Sequence, residues 1–333
     1  MRLRLTVLAA LAVLVGCGDK PQPAPAKSTD PASPVRITLA LNWYPEAEHG
    51  GFYAAHVRGY YREVGLEVDI VPGGPGSPVP QRVAQGQVDF GVVNADRILL
   101  ARAQETPIVA IMAPLQHSPR CIMVHAAAEI EDFKQLGKLK TLALDPGPAE
   151  SAFLKKKLDL SAVEIVPYPG NVNRFVLDGP TYGQQAYSIS EPFAARQRDT
   201  EPRCLMVSSL GYDPYTSVLV ASEKLLAERP DVARRLVAAS ARGWADYLAS
   251  WQATNGEIHA RNSEMSVEIL EFGAKELKVL VDASGGPIGR MELARWQKLT
   301  DQLVELELMK PGAVDPSKVY SADYLPAAGS GSR

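Results

Sequence analysis

From Arg36 onward the chain alternates short apolar runs with helically spaced segments, and this alternation restricts the fold more than any other feature. Ile37, Leu39 and Leu41 alternate with smaller or polar residues and predict a strand over Arg36–Asn42, which Pro45 stops. A helix over Gly51–Val64, a strand over Gly65–Val71, a helix over Pro80–Gln85, a strand over Val88–Val93 and a helix over Arg97–Gln104 follow. Such a succession requires a mostly parallel sheet covered by helices on both faces. The next strand, Ile108–Leu115, continues through Gln116-His117-Ser118-Pro119-Arg120 into Cys121–His125, an extended passage that reads as a crossing between lobes. A second alternation then begins: helix near Asp132–Leu136, strand Thr141–Leu144, helix Ala149–Lys156, strand Val163–Tyr168, a short helix near Arg174, strand Ala186–Ile189. Extended segments at Cys204–Ser208 and Ser217–Ala221 could return the chain, and two crossings make a hinge with a cleft beside it. Beyond Ser222 the spacing is helical, over Asp231–Leu248, Ser266–Leu280 and Met291–Leu308.

The N-terminus pairs Met1-Arg2-Leu3-Arg4 with the apolar run Leu5–Val15, the pattern of an export signal, and the run is too short for a permanent span. Leu14-Val15-Gly16-Cys17 resembles the bacterial lipobox, which implies acylation of Cys17 and a lipid anchor of ~0.8 kcal/mol per buried methylene. The expected division is therefore signal peptide 1–17, disordered tether 18–35, one lobe from 36–118 plus 213–326, a second from 119–212, and a disordered tail 327–333. A folded part of about 290 residues exceeds the usual single core, consistent with two domains. The net charge of −3 and the absence of a basic stretch argue against nucleic acid, and Lys155-Lys156-Lys157 reads as a solvated helix face. Cys121 and Cys204 are too few for a metal cluster; they are either two buried thiols or one disulfide.

Specific blocks stand on this frame: Leu41-Asn42-Trp43-Tyr44-Pro45, His49, Gly51-Phe52-Tyr53-Ala54-Ala55, Gly59-Tyr60-Tyr61, Gly65-Leu66-Glu67-Val68, Val83 to Gly91, Asn94-Ala95-Asp96 and Ser190-Glu191-Pro192-Phe193. Together they resemble the periplasmic binding proteins of the nitrate, sulfonate and thiamine-pyrimidine group, over essentially all of Arg36 to about Gly312. The Asn-Trp-x-Pro start followed by His is most similar to the pyrimidine-precursor binders. The resemblance implies an α/β fold of the type II periplasmic binding protein kind, two α/β lobes joined by a two-crossing hinge. It also implies a small-molecule ligand and a permease and ATPase of an ABC importer as partners. The site would need no cofactor and no metal, and the protein would be a monomer in the bacterial cell envelope. A related eukaryotic branch makes the pyrimidine itself with a cysteine-rich iron-binding motif, which this sequence lacks.

The residues support a site at the same places. Asn42, Trp43 and Tyr44 stand at the carboxyl end of the first strand, where open α/β sheets bind ligands, and the two rings could stack on a flat heterocycle. His49 offers a neutral imidazole to a ring nitrogen. Gly74, within Gly73-Gly74-Pro75-Gly76, could let backbone amides approach a ligand or form a plain turn. Asn94 suits ligand contact and Asp96 suits helix capping. Gln116 and Ser118 lie on the crossing. Gly147 and Glu150 lie where a strand meets a helix N-terminus, and Glu191 follows a strand in an apolar setting where it could accept from an exocyclic amine. Tyr187 and Tyr215 are further cleft aromatics, with Tyr212 ranked beside them, while Arg120 and Arg174 keep an anionic group in play.

Three function classes compete. A binding protein for a flat heterocycle leads, with riboflavin, sulfonate or nitrate-type ligands as alternatives. An enzyme would need a nucleophile–base pair or a metal constellation; Gly-x-Ser-x-Gly, His-Glu-x-x-His and Cys-x-x-Cys are absent from the sequence, and His49 with Glu46 or Glu48 is the only couple to consider. A ligand-presenting sensor is the third.

Overall fold

A computed structural model describes residues 33–145, 149–281 and 286–326. The expected signal peptide with Cys17, nearly all of the tether, Gly147 and the tail lie outside the described residues. Ten strands carry the fold: β1 (Val35–Ala40), β2 (Leu66–Val71), β3 (Phe90–Val93), β4 (Ile108–Met112), β5 (Arg120–His125), β6 (Thr141–Leu144), β7 (Glu164–Pro167), β8 (Tyr182–Tyr187), β9 (Pro202–Met206) and β10 (Val218–Ser222). They form two five-stranded sheets of matching order, β2-β1-β3-β10-β4 and β7-β6-β8-β5-β9.

The sheets are mixed, which corrects the mostly parallel expectation. β1 runs parallel to β2 and β3, and β6 parallel to β7 and β8. β10 lies antiparallel between β3 and β4, and β5 antiparallel between β8 and β9. Each of these two strands is the one that arrives directly from the other sheet. A parallel partner would need a long crossover to carry the chain back to the strand's starting edge; a direct crossing enters at the opposite edge. The two sheets therefore exchange one strand each at equivalent positions.

The crossings run side by side. Leu115 and Thr216 form an antiparallel bridge between them, and the Ser118 amide donates to Asp213 Oδ1 at 2.7 Å. Gln116, expected at the ligand, donates its side-chain amide to the carbonyls of Ala113 and Arg290 at 2.8 and 3.0 Å, so it fastens the first crossing to the C-terminal segment.

Several boundaries differ from expectation for local reasons. Val35 already belongs to β1, paired with Leu66, so the tether ends before it. The helix expected over Gly51–Val64 is broken into Gly50–Val57 and Tyr60–Glu63, because Gly59 takes a left-handed φ of 77°. The strand expected over Ala186–Ile189 lies four residues earlier at its start, as β8, since Gln184 and Gln185 hide its apolar alternation. Near Asp132 the chain makes a 3-10 helix, Phe133–Lys138, with a capping box from Asp132 and Gln135.

The long helix Pro230–Ala249 covers the first sheet and packs on Gly50–Val57 with almost no clearance. A Cβ on Gly243 would lie 2.3 Å from the Gly51 carbonyl oxygen, and one on Gly51 would lie 2.1 Å from the Trp244 ring. Trp244 and Tyr247 are fully buried there. Cys121 and Cys204 form a disulfide that joins β5 to β9 across a Cα separation of 5.4 Å. Lys155, Lys156 and Lys157 are exposed, as a solvated face requires. Among the described residues no helix is long and apolar enough to cross a membrane.

Candidate ligand site between the two sheets

β1 and β3 end, and β5 and β10 begin, at the edge where the chain crosses between sheets, so the carboxyl ends of the parallel strands and both crossings meet in one place. The loop after β1 supplies the first groups. His49 is completely buried, with Nε2 3.0 Å from Asn42 Oδ1 and 3.2 Å from Glu48 Oε1. Asn42 Oδ1 is an acceptor, which places the proton on Nε2 and leaves Nδ1 as a buried acceptor without a partner. Burial pushes the imidazole pKa down to about 3, so the ring is neutral. Burial pushes Glu48 up to about 7, against the pull of the Ser217 hydroxyl, which donates to Oε2 at 3.3 Å, and of Arg120. Glu46 is raised well above the ordinary carboxylate range by burial and by the nearby charges of Glu48 and Glu191, while Trp43 hydrogen-bonds to it.

Ser217 links this loop to the next. Its amide donates to Asn94 Oδ1 at 3.1 Å, and Asn94 Nδ2 donates to the Tyr187 hydroxyl, also at 3.1 Å. That second bond passes from the end of β3 to the end of β8 and so joins the two sheets. Ser217 holds a left-handed φ of 54°, an uncommon conformation for a residue with a side chain, at the point where the crossing enters β10.

Arg120, the first residue of β5, makes the second join. Its guanidinium donates to Asp96 Oδ2 at 2.9 Å, and its Nε lies 3.3 Å from Glu150 Oε2. The Tyr212 hydroxyl donates to the same Asp96 oxygen at 2.9 Å. Burial by itself would raise Asp96, but the charge and hydrogen bond of Arg120, with help from Tyr212, hold it below its usual value. Burial opposes the Arg120 charge, yet Asp96 and the other anions around it keep it firmly protonated. Glu150 is pushed up to about 7 by burial despite Arg120, and its Oε1 has no partner. Glu191 accepts from the Tyr168 hydroxyl at 2.6 Å, the Tyr187 amide at 2.9 Å and the Ser190 hydroxyl at 2.5 Å.

The structure thus gathers Asn42, His49, Asn94, Glu150, Tyr187 and Glu191, with Trp43 half-buried beside Glu46. Tyr44 is 47% exposed, stands edge-on to Trp43 at 5.4 Å and packs over Gly74, so this pair forms the outer wall of the loop. Ser118 is buried on the crossing with its hydroxyl 3.3 Å from the Arg120 amide. Tyr215 points elsewhere: its hydroxyl accepts from the Glu292 amide at 3.0 Å and its ring packs on Arg295 and Trp296 of the C-terminal helix Leu293–Glu305. Arg174 is exposed and paired with Asp178 at 2.7 Å. Asp96, read as a helix cap, instead anchors Arg120, and Ser217 and Tyr168 carried no sequence signal. Glu46 and Glu48 were visible beside His49 only as a potential catalytic couple; their ring of carboxylates is set by residues distant in sequence.

Two sheets of matching order, each holding one strand that arrives directly from the other, make the periplasmic binding protein fold. The backbone matches the periplasmic aliphatic sulphonate binding protein SsuA from Escherichia coli with a TM-score of 0.66, over 86% of this chain and 92% of that one, at 14% identity. Residues 46–253 match the family described as NMT1/THI5 like, and the chain belongs to that family. It is 26% identical over 269 residues to the riboflavin-binding protein RibY of Chloroflexus aurantiacus, covering 75% of this chain and 76% of the relative. It is 30% identical over 118 residues to the formylaminopyrimidine-binding protein of Halalkalibacterium halodurans, 34% of each. A 4-amino-5-hydroxymethyl-2-methylpyrimidine phosphate synthase of Aspergillus parasiticus is 25% identical over 228 residues, 64% of this chain and 66% of the enzyme.

Proposed function

We propose that this chain captures a flat nitrogen heterocycle, of the kind found in thiamine pyrimidine precursors, between its two sheets and hands it to the permease of an ABC importer. In this reading it catalyses nothing, works as a monomer and is held at the envelope membrane by a lipid on Cys17. The observation that carries the proposal is the polar network that spans both sheets through Asn94–Tyr187 and Arg120–Asp96 while leaving His49 Nδ1 and Glu150 Oε1 buried and unpartnered. Buried polar atoms without partners cost about 1–3 kcal/mol each, so a guest that satisfies them gains affinity and one that does not is rejected. Closure of the lobes then requires only that the guest prefer the closed arrangement.

An enzyme is the competing reading, because the family includes pyrimidine synthases. Burial keeps the His49 imidazole neutral and weakly basic, which suits it to hydrogen bonding a guest better than to proton abstraction. A flavin is the alternative guest, favoured by the longer match to the riboflavin-binding relative. Calorimetry and native mass spectrometry against pyrimidines, flavins, sulfonates and nitrate test the proposal. A saturable one-to-one complex with a pyrimidine or flavin is expected; turnover without stoichiometric binding would defeat it.

A further inference from the structure

The charge content of the cleft narrows the guest further, on the reading above that a small heterocycle binds there. Five carboxyl groups, Glu46, Glu48, Asp96, Glu150 and Glu191, gather between the sheets; Arg97, exposed and paired with Asp145 at 3.6 Å, lies near Asp96, and the buried cation among the described residues there is Arg120. That cation is already met on two sides, by Asp96 at 2.9 Å and Glu150 at 3.3 Å. Among the described residues, no lysine or arginine forms an ion pair with Glu46, Glu48 or Glu191; their polar partners are Trp43, hydroxyls, a backbone amide and neutral imidazole or amide side chains. An anion placed here would find both nearby cations among the described residues, Arg97 and Arg120, already paired and, wherever the carboxyls ionise, would be repelled in buried surroundings that screen poorly. His49 Nδ1 and Glu150 Oε1 are buried without a partner, and each is an acceptor, Glu150 when ionised, that a donor on the guest would satisfy.

We infer that the guest is a nitrogen heterocycle bearing a positive charge, an ammonium or amidinium edge, which the Glu46–Glu48–Glu191 side receives, and that anionic analogues are excluded. Burial raises the Glu46, Glu48 and Glu150 carboxyls toward their protonated forms, and a cationic guest supplies the counter-charge that lets them ionise. Sulfonates, bound by a protein of the same backbone fold, are thereby poor guests here.

Three probes on one ring test this by calorimetry near pH 7.5: 4-amino-5-aminomethyl-2-methylpyrimidine, its neutral 5-hydroxymethyl counterpart and its 5-carboxylate. The ammonium probe is expected to bind at least about tenfold more tightly than the neutral one, and the carboxylate to show no saturable binding. The neutral or anionic probe binding as tightly as the ammonium would overturn the inference and leave the heterocycle reading standing. Binding by none of the three would remove both. Glu48→Gln and Glu46→Gln, each checked for native circular dichroism, should cut the ammonium advantage to less than about threefold; an undiminished advantage in both is a second way for the inference to fail. The comparison of probes on the unmodified chain decides the matter even if a variant does not fold.

Discussion

Arg120 is the residue on which the cleft's electrostatics turn. Only 7% exposed, it offsets the buried carboxylates of Asp96 and Glu150, one from each side of the cleft. Arg120→Ala removes that charge and leaves anions buried without a counter-charge, so a loss of about 3–5 kcal/mol in urea unfolding is expected. A loss below 1 kcal/mol, on the order of a surface pair, would show that the pairs are not sealed from water. Trp43 is the opposite case: half-buried, it hydrogen-bonds to Glu46 and meets Tyr44 edge-on. Trp43→Ala should weaken ligand affinity by about tenfold or more while the unfolding midpoint hardly moves. An unchanged dissociation constant would remove Trp43 from the site. The first strand's end made Asn42, Trp43 and His49 legible in sequence; Asp96 and Arg120 were not legible as a pair, because 24 residues and a change of sheet separate them.

At the scale of elements, the contact of the helices Gly50–Val57 and Pro230–Ala249 positions the His49 loop. Gly243 faces the Gly51 backbone and Gly51 faces the Trp244 ring, so these glycines are required by close approach and not by turning. Gly243→Ala would push the helices apart and is expected to cost about 1–3 kcal/mol, measured by chemical denaturation, with weaker ligand binding because the loop before Gly50 shifts. A substitution without effect on either would mean the helices yield easily. The helix spacing was readable over Asp231–Leu248, but its partner was not, since small residues signal close packing only once the facing element is known. The same holds for Cys121 and Cys204: the sequence favoured two buried thiols over a disulfide, and pairing of β5 with β9 brought the sulfurs together.

For the whole molecule, the cleft's titrating groups set how stability responds to pH. Glu48 and Glu150, held near 7 against a usual 4.5, favour the folded state while protonated; their contribution is complete below about 4.5 and is lost as pH rises through 7. Glu46, also raised, acts in the same sense. His49, held near 3 against 6.5, acts oppositely, its contribution complete above 6.5 and lost as pH falls through 3, and the lowered His56 joins it. The carboxyls outnumber the imidazoles, so the unliganded protein should melt at a higher temperature near pH 5.5 than near pH 8, by roughly a few degrees. Glu48→Gln together with Glu150→Gln should flatten or reverse that trend in differential scanning calorimetry; a trend unaltered by both substitutions would place its origin outside the cleft.

The amino-acid sequence determined the local alphabet of this fold: strands and helices in alternation, two interruptions where the chain crosses, and an aromatic loop after the first strand. These follow from side-chain periodicity, proline and glycine, which act over a few residues. What the tertiary structure alone decided is which way the exchanged strands run, and that both crossings and the parallel strands' carboxyl ends share one edge. Because of that convergence, Glu48, Asp96 and Glu150, from three separate segments, act on a single arginine, and the chemistry there is a property of their meeting and of no one segment.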